Sequence, residues 1–320
     1  MPRTLTRICR LTLCTDTGHC GIGECVAVPY VTGETHEMTL ARLNMIGQET
    51  IGKPALRHQS VLQAVAPLLA EGPAARAAIE MALWDLRAQM TGQSLWHLFG
   101  GAVAEVETDV TLPLVSDAID RATAYAAAGF RTFKVKVGRA DVAADVEVLQ
   151  RVRDAVPSAV FRIDANQAYT PRQALDLSAR LVSAGLRVEL LEQPVDRGDL
   201  AGLDLVARES AVPIVADEAV LTPADAFRVF SRTAVHGLNV KLMKSGVSGA
   251  LDIIAIARAA GRKLMMGCML EPPRGIGFAL SLAAGTGAFD YYDLDGHMLT
   301  AASPEPFFSQ DGPLLNVNPR

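Results

Sequence analysis

The chain has 320 residues, 50% hydrophobic and 20% charged, with a formal net charge of -5; this is a globular composition, long enough to bury a substantial core. No basic tract offers a nucleic-acid surface, and no apolar run reaches the ~18 residues of a membrane span. The N-terminus, MPRTLTRICRLTLCTDTGHC, alternates polar and apolar residues and lacks the apolar stretch of a signal peptide, so a cytoplasmic protein is expected.

The first element is RLTLCTDTGHCGIGEC, which reads as two strands around a turn. It carries Cys14, Cys20 and Cys25, and Cys9 stands just before it, so four of the five cysteines cluster here. Their spacings of five and six do not match the short paired spacings of zinc modules. They are expected to be small buried hydrophobes in a sheet. Helical stretches follow, ending in AARAAIEMALWDLRAQMTGQSLWHLFGG, whose apolar residues recur at helical spacing and which should stop at Gly100 and Gly101.

From residue 105 the pattern changes. Short apolar runs at 107–112, 131–138, 160–166, 188–194, 213–219, 237–243, 263–270 and 290–296 read as strands. Alanine-rich amphipathic segments such as AADVEVLQRVRDAV lie between them. With Val110, Lys136, Asp164, Glu192, Asp217, Lys241, Cys268 and Asp293 as markers, the steps are 26, 28, 28, 25, 24, 27 and 25. Eight βα units at so even a spacing predict a closed parallel barrel of the (β/α)8 type, with a doubly wound sheet as the alternative. The expected organisation is therefore an α+β capping domain over 1–104, a barrel over 105–296, and a tail over 297–320 that returns to the capping domain.

Parallel barrels place their active sites at the C-terminal ends of the strands. Lys134 and Lys136 fall there on strand two, sharing one face because they are two apart. Asp164 and Asn166 fall there on strand three, Glu192 on four, Asp217 on five, Lys241 on six, and Asp293 with Asp295 on eight. Each has a plain alternative: Asp164 or Asp217 could cap the next helix, Lys241 and Lys244 could snorkel, and DLDG could be a turn. Taken together, three carboxylates on consecutive strands with lysines to either side suit an octahedral divalent cation such as Mg²⁺ better than three helix caps.

The ordered motifs FKVKVG, RIDANQ, LLEQPV, VADEA, NVKLMKSG and MMGCMLE closely resemble the enolase superfamily, muconate-lactonizing branch. The helix AIEMALWDLRAQMTGQSLWHLFGG resembles that family's link from capping domain to barrel, so the likeness covers nearly the whole chain. VTGET at 31–35 and DLDG at 293–296 make it most like the dipeptide epimerases, of the L-Ala-D/L-Glu epimerase type.

That resemblance implies roles. Asp164, Glu192 and Asp217 would hold one Mg²⁺ per subunit, with Mn²⁺ a substitute, stabilising an enolate of the substrate. Lys136 and Lys241 would be the acid/base pair on opposite faces of the α-carbon, inverting the C-terminal residue of a dipeptide by 1,1-proton transfer. Lys134 would hold the substrate carboxylate and lower the pKa of Lys136, leaving that lysine partly neutral. Asp293 and Asp295 would take the substrate's free ammonium, with Asn166 alongside. A homo-oligomer in the recovery of peptidoglycan peptides is the implied setting.

The sequence also departs from the pattern. Where relatives usually show a serine and often a basic residue, Pro272, Pro273 and Arg274 follow Glu271. Arg274 is either a partner for an acidic substrate side chain or a surface charge. Ala219 replaces a serine. Relatives usually carry a strand and a mobile loop ahead of the region corresponding to RTLTRICRLTL; here they are expected to be missing or shortened, through a misassigned start or real loss, which would leave Arg3 as a stand-in and the site open to water. Alternatives are another enzyme of the branch (N-acylamino acid racemase, o-succinylbenzoate synthase or muconate-type cycloisomerase), a catalytically dead scaffold, or a Schiff-base aldolase.

Overall fold

A computed structural model of the chain describes residues 6–113, 116–138, 141–300 and 308–317; Arg3 lies outside them. The expected hairpin forms: β1 (Cys9–Cys14) pairs antiparallel with β2 (Cys20–Cys25), Cys9 opposite Cys25 and Cys14 opposite Cys20. The cysteines do not all behave as predicted. Cys9 and Cys25 are buried thiols, but Cys14 and Cys20 form a disulfide beside the turn. Strand alternation is the reason: Cys9 and Cys14 are an odd number apart, so the two pairs lie on opposite faces of the hairpin.

Helices α1 (Pro29–Thr32), α2 (His36–Thr50), α3 (His58–Leu69), α4 (Pro73–Thr91) and α5 (Leu95–Leu98) follow. A Cβ on Gly23 would overlap the Ala78 carbonyl, so the glycine of GIGEC is what lets β2 lie directly on the alanine-rich face of α4. Helix α4 ends earlier than Gly100. Gly92 turns left-handed at φ 66 and closes the helix, and Ser94 then caps α5.

After β3 (Glu105–Glu107) come eight parallel strands in chain order. They are β4 (Val110–Pro113), β5 (Thr132–Lys136), β6 (Val160–Asp164), β7 (Val188–Glu192), β8 (Ile214–Ala216), β9 (Gly237–Val240), β10 (Lys263–Gly267) and β11 (Tyr291–Asp293). Helices α6 (Ala118–Ala127), α7 (Val142–Ala155), α8 (Pro171–Ser183), α9 (Leu200–Glu209), α10 (Pro223–Arg232), α11 (Leu242–Ala260) and α12 (Pro273–Thr286) connect them. A 3-10 turn, Gly296–Leu299, stands where an eighth helix was expected. The seam between β4 and β11 is bridged by Asp109 N to Tyr292 O at 3.1 Å and Thr111 N to Asp295 Oδ2 at 2.6 Å. The described part of the tail, β12 (Phe308–Asp311) and β13 (Leu314–Val317), pairs with β3, and Val317 N reaches Ala104 O at 3.0 Å.

The two-residue period of the strands sorts the barrel. Phe133, Val135, Phe161 and Ile163 are fully buried in the main core, whereas Leu190, Val215 and Met265 form a separate apolar cluster with Tyr291 packed on it. Lys134, Lys136, Asp164 and Glu192 share the face of that inner cluster, Glu192 in register with Val215. No helix among the described residues is long and apolar enough to cross a membrane.

Candidate active site

Register brings the polar strand ends to one level: Lys136 pairs with Asp164, and Asp164 with Glu192. Lys134 is buried, with Nζ 2.6 Å from Asp293 Oδ2, 2.9 Å from Glu192 Oε2 and 3.5 Å from Asp164 Oδ2. Burial pulls its ammonium down, but these carboxylates outweigh burial and hold its pKa well above the ordinary value. Lys136 Nζ donates to Asp164 Oδ2 and Asn166 Oδ1, both at 2.9 Å. Lys241 Nζ sits 2.7 Å from Asp217 Oδ2. Strands β5 and β9 are four apart in an eight-stranded barrel, so Lys136 and Lys241 face each other across its mouth.

The protonation expected of Lys136 is corrected. Burial, Lys134 and Lys241 do depress it, but Asp164 outweighs them and the pKa is raised, not lowered. The alternatives weighed for single residues also fall. Helices α8 and α10 are capped by Thr170 and Thr222, not by Asp164 or Asp217. Lys241 and Lys244 do not snorkel: both are buried, and Lys244 Nζ lies 2.5 Å from Asp217 Oδ1 and 2.8 Å from its carbonyl.

Asp164, Glu192 and Asp217 offer a hard, buried oxygen set for Mg²⁺. Burial and Asp164 push Glu192 up to about 8, and its Oε2 meets the Lys134 ammonium without hydrogen-bond geometry. A surplus of buried carboxylate that only a neighbouring cation relieves fits a divalent ion. Lysine ammoniums stand on all three carboxylates here. Among the described residues, the ligand atoms that gather within 4.8 Å of one another are those of Cys268, Asp293 and Asp295. Burial and the two aspartates keep the Cys268 thiol protonated, and Asp295 is pushed up to about 6 by burial and Asp293. A protonated thiol beside two carboxylates suits an organic ammonium better than a metal.

Several site residues were not foreseen. Gln193, strained at φ 34, accepts from Asp217 N and Ala219 N. Asn239 donates to Glu192 Oε1 at 2.8 Å, and a Cβ on Gly267 would strike it. Glu218 Oε1 accepts at 3.1 Å from the foreseen Asn166, which at φ 42 also meets Lys136. Gln193 and Glu218 each directly follow a carboxylate already singled out, and Asn239 lies two before Lys241, so adjacency and period-two spacing were the available signals.

Arg274 goes elsewhere. Its Nη1 lies 3.4 Å from Asp85 Oδ2, tying α12 to α4, and it does not line the cavity. The carboxylate of Asp85 also accepts from Ile22 N, so the geometry of Arg274 belongs to the contact between hairpin, α4 and barrel.

A cavity of about 220 Å³ opens over the strand ends. Lys134, Lys136, Lys241, Asn166, Asp217, Glu218, Asp293 and Asp295 line its floor; Val26, Val28, Tyr30, Val31, Met269, Leu270 and Leu299 line its walls. The VTGET segment holds that wall in place: Val31 O accepts from Arg197 at 2.8 Å, and Glu34, buried, accepts from Ala74 N at 2.8 Å at the start of α4.

Residues 4–100 match the mandelate racemase / muconate lactonizing enzyme N-terminal domain, and residues 117–314 match the enolase C-terminal domain-like family. The chain is 38% identical over 289 residues to an L-Ala-D/L-Glu epimerase of Bacillus subtilis, covering 89% of this chain and 79% of the relative. It superposes on the substrate-liganded L-Ala-D/L-Glu epimerase of Bacillus subtilis with a TM-score of 0.92 at 33% identity, covering 98% and 89% of the two chains. A dipeptide epimerase of Enterococcus faecalis V583, complexed with Mg and L-Leu-L-Tyr, matches at a TM-score of 0.92 and 32% identity over 98% and 96%.

Proposed function

The chain belongs to the mandelate racemase/muconate lactonizing enzyme family of the enolase superfamily and is an isomerase, and from that premise we propose that it is a dipeptide epimerase that inverts the α-carbon of the C-terminal residue. The observation that carries this reading is the pair Lys136 and Lys241, on strands half a barrel apart, lining one cavity beside the carboxylates of Asp293 and Asp295. A substrate α-carbon between the lysines meets one on each face. The lysine without its proton takes the α-proton, and the ammonium opposite returns one, so configuration inverts.

The cofactor is Mg²⁺, which we assign to Asp164, Glu192 and Asp217; when bound it supplies positive charge that makes the α-proton beside a carboxylate more acidic. Lys134 steadies the same carboxylate. Asp293 and Asp295 receive the free ammonium of the first residue, with Asn166 orienting Lys136. Action in the cytoplasm as a homo-oligomer, on peptides released in peptidoglycan turnover, completes the reading.

The test is α-proton exchange in D₂O with Mg²⁺, followed by NMR over a dipeptide library, with N-acylated amino acids as comparators. Exchange with inversion in dipeptides supports the reading. Exchange confined to N-acylated substrates would move the chain to another reaction of the family, and exchange in neither would remove the two-lysine chemistry.

A further inference from the structure

The lysines lining the cavity are spent on buried carboxylates. Its cations among the described residues are Lys134, Lys136 and Lys241, each ion-paired to a buried carboxylate. Its anions are Asp217, Glu218, Asp293 and Asp295, four in number. The guanidinium of Arg197 donates to Val31 O, and that of Arg274 pairs with Asp85.

The walls are apolar and form a unit of their own. Val26, Val28 and Val31 make a hydrophobic cluster separate from the main core, with Leu221 and Met269 packed on it. All but Leu221 line the cavity, and Leu270 extends the surface. Val26 and Val28 lie in the link between β2 and α1, and the α1 turn brings Val31 beside them. Anchored through Val31 O and Glu34, this wall is preformed.

We propose that this wall is the substrate's side-chain subsite and selects uncharged, apolar side chains, so that the preferred substrates are hydrophobic dipeptides. The inference rests on the dipeptide-epimerase reading. A carboxylate side chain entering here is desolvated against valines and leucine, over four acidic groups and with no described arginine turned to it. A cationic side chain also loses its water at the wall; of the floor carboxylates, Asp293 is paired with Lys134 and Asp217 with Lys241 and Lys244, and Asp295 is kept for the substrate's own ammonium. An apolar side chain gains by burying its surface.

The experiment compares α-proton exchange in D₂O with Mg²⁺ for L-Ala-L-Leu, L-Ala-L-Phe, L-Ala-L-Glu and L-Ala-L-Lys. The apolar pairs should exceed the charged ones in kcat/KM by roughly tenfold or more. Exchange that favours L-Ala-L-Glu or L-Ala-L-Lys, or treats all alike, would overturn the subsite while leaving the epimerase reading intact. No exchange with any of the four or any other dipeptide would overturn both. Leu270→Arg, at the half-buried edge of the wall, should shift the ratio toward L-Ala-L-Glu by about tenfold. Should it not fold, the isosteric Val28→Thr should lower kcat/KM for the apolar pairs alone. An unchanged ratio in the folded variant would overturn the assignment.

Discussion

Lys134 Nζ stands 2.6 Å from Asp293 Oδ2, joining the second barrel strand to the eighth across the seam between β4 and β11. One ion pair thus serves closure of the barrel and placement of the site. In Asp293→Asn the buried ammonium keeps Glu192 and Asp164 but loses its shortest partner. Stability should fall by roughly 2 kcal/mol, less than the full cost of stripping a buried charge of its only partner. Urea denaturation measures this, and an unchanged midpoint would deny the seam its ionic clasp.

Asp295 tests the ammonium site directly. Asp295→Asn keeps an acceptor for Thr111 N, 2.6 Å away, and removes only the charge. KM for dipeptides should rise about tenfold or more, and binding of an N-acetylated analogue should not change. Equal effects on both would show that these carboxylates do not read an ammonium.

Lys136→Ala and Lys241→Ala should each lower epimerisation by about 10²–10⁴-fold. Because the two lysines approach from opposite sides, each variant should still exchange the α-proton of one epimer with solvent, and the two variants should choose opposite epimers. Symmetrical loss in both, read by NMR of separate epimers, would count against one base per face.

Chelation should abolish exchange, and Mg²⁺ should restore it. Binding only to the folded state also stabilises it, by about 2.7 kcal/mol at one hundred times Kd. The melting temperature of the wild type should therefore rise with Mg²⁺, and that of Glu192→Gln should not. A rise that survives in Glu192→Gln would place the ion elsewhere.

Glu271 gives a pH test outside the reacting groups. Its carboxyl is buried, accepts from Met269 N, and is pushed from the ordinary 4.5 up to about 7, chiefly by burial. A raised carboxylate pKa means the folded chain binds the proton more tightly than the unfolded one. Its contribution is present below 4.5 and is lost as pH rises toward 7, on the order of 3 kcal/mol in all. Glu271→Gln should flatten the stability profile between these values. An identical profile in denaturant titrations would show that another group dominates the window.

Much of this was legible in the linear chain because barrels are built on two short periods. A step of 24 to 28 residues between strand markers predicts eight βα units. Within a strand, the period of two turns Lys134 and Lys136 to a common side. Those rules need no knowledge of long-range contacts, so the fold and the inner polar layer follow from spacing and resemblance.

What only the tertiary structure decided depends on residues far apart in sequence. Arg274 could not be assigned until α12 was seen against Asp85 of α4. The cysteines divided into a disulfide and two thiols only once the hairpin register was known. The upward shift of the Lys136 pKa turned on Asp164 outweighing burial and two neighbouring ammoniums, a balance set by distances. The apolar wall at Val26, Val28 and Val31 became part of the site only when the first domain was seen over the mouth of the barrel. Periodicity determines which way a side chain points; what it meets there is a property of packing between elements that no local period encodes.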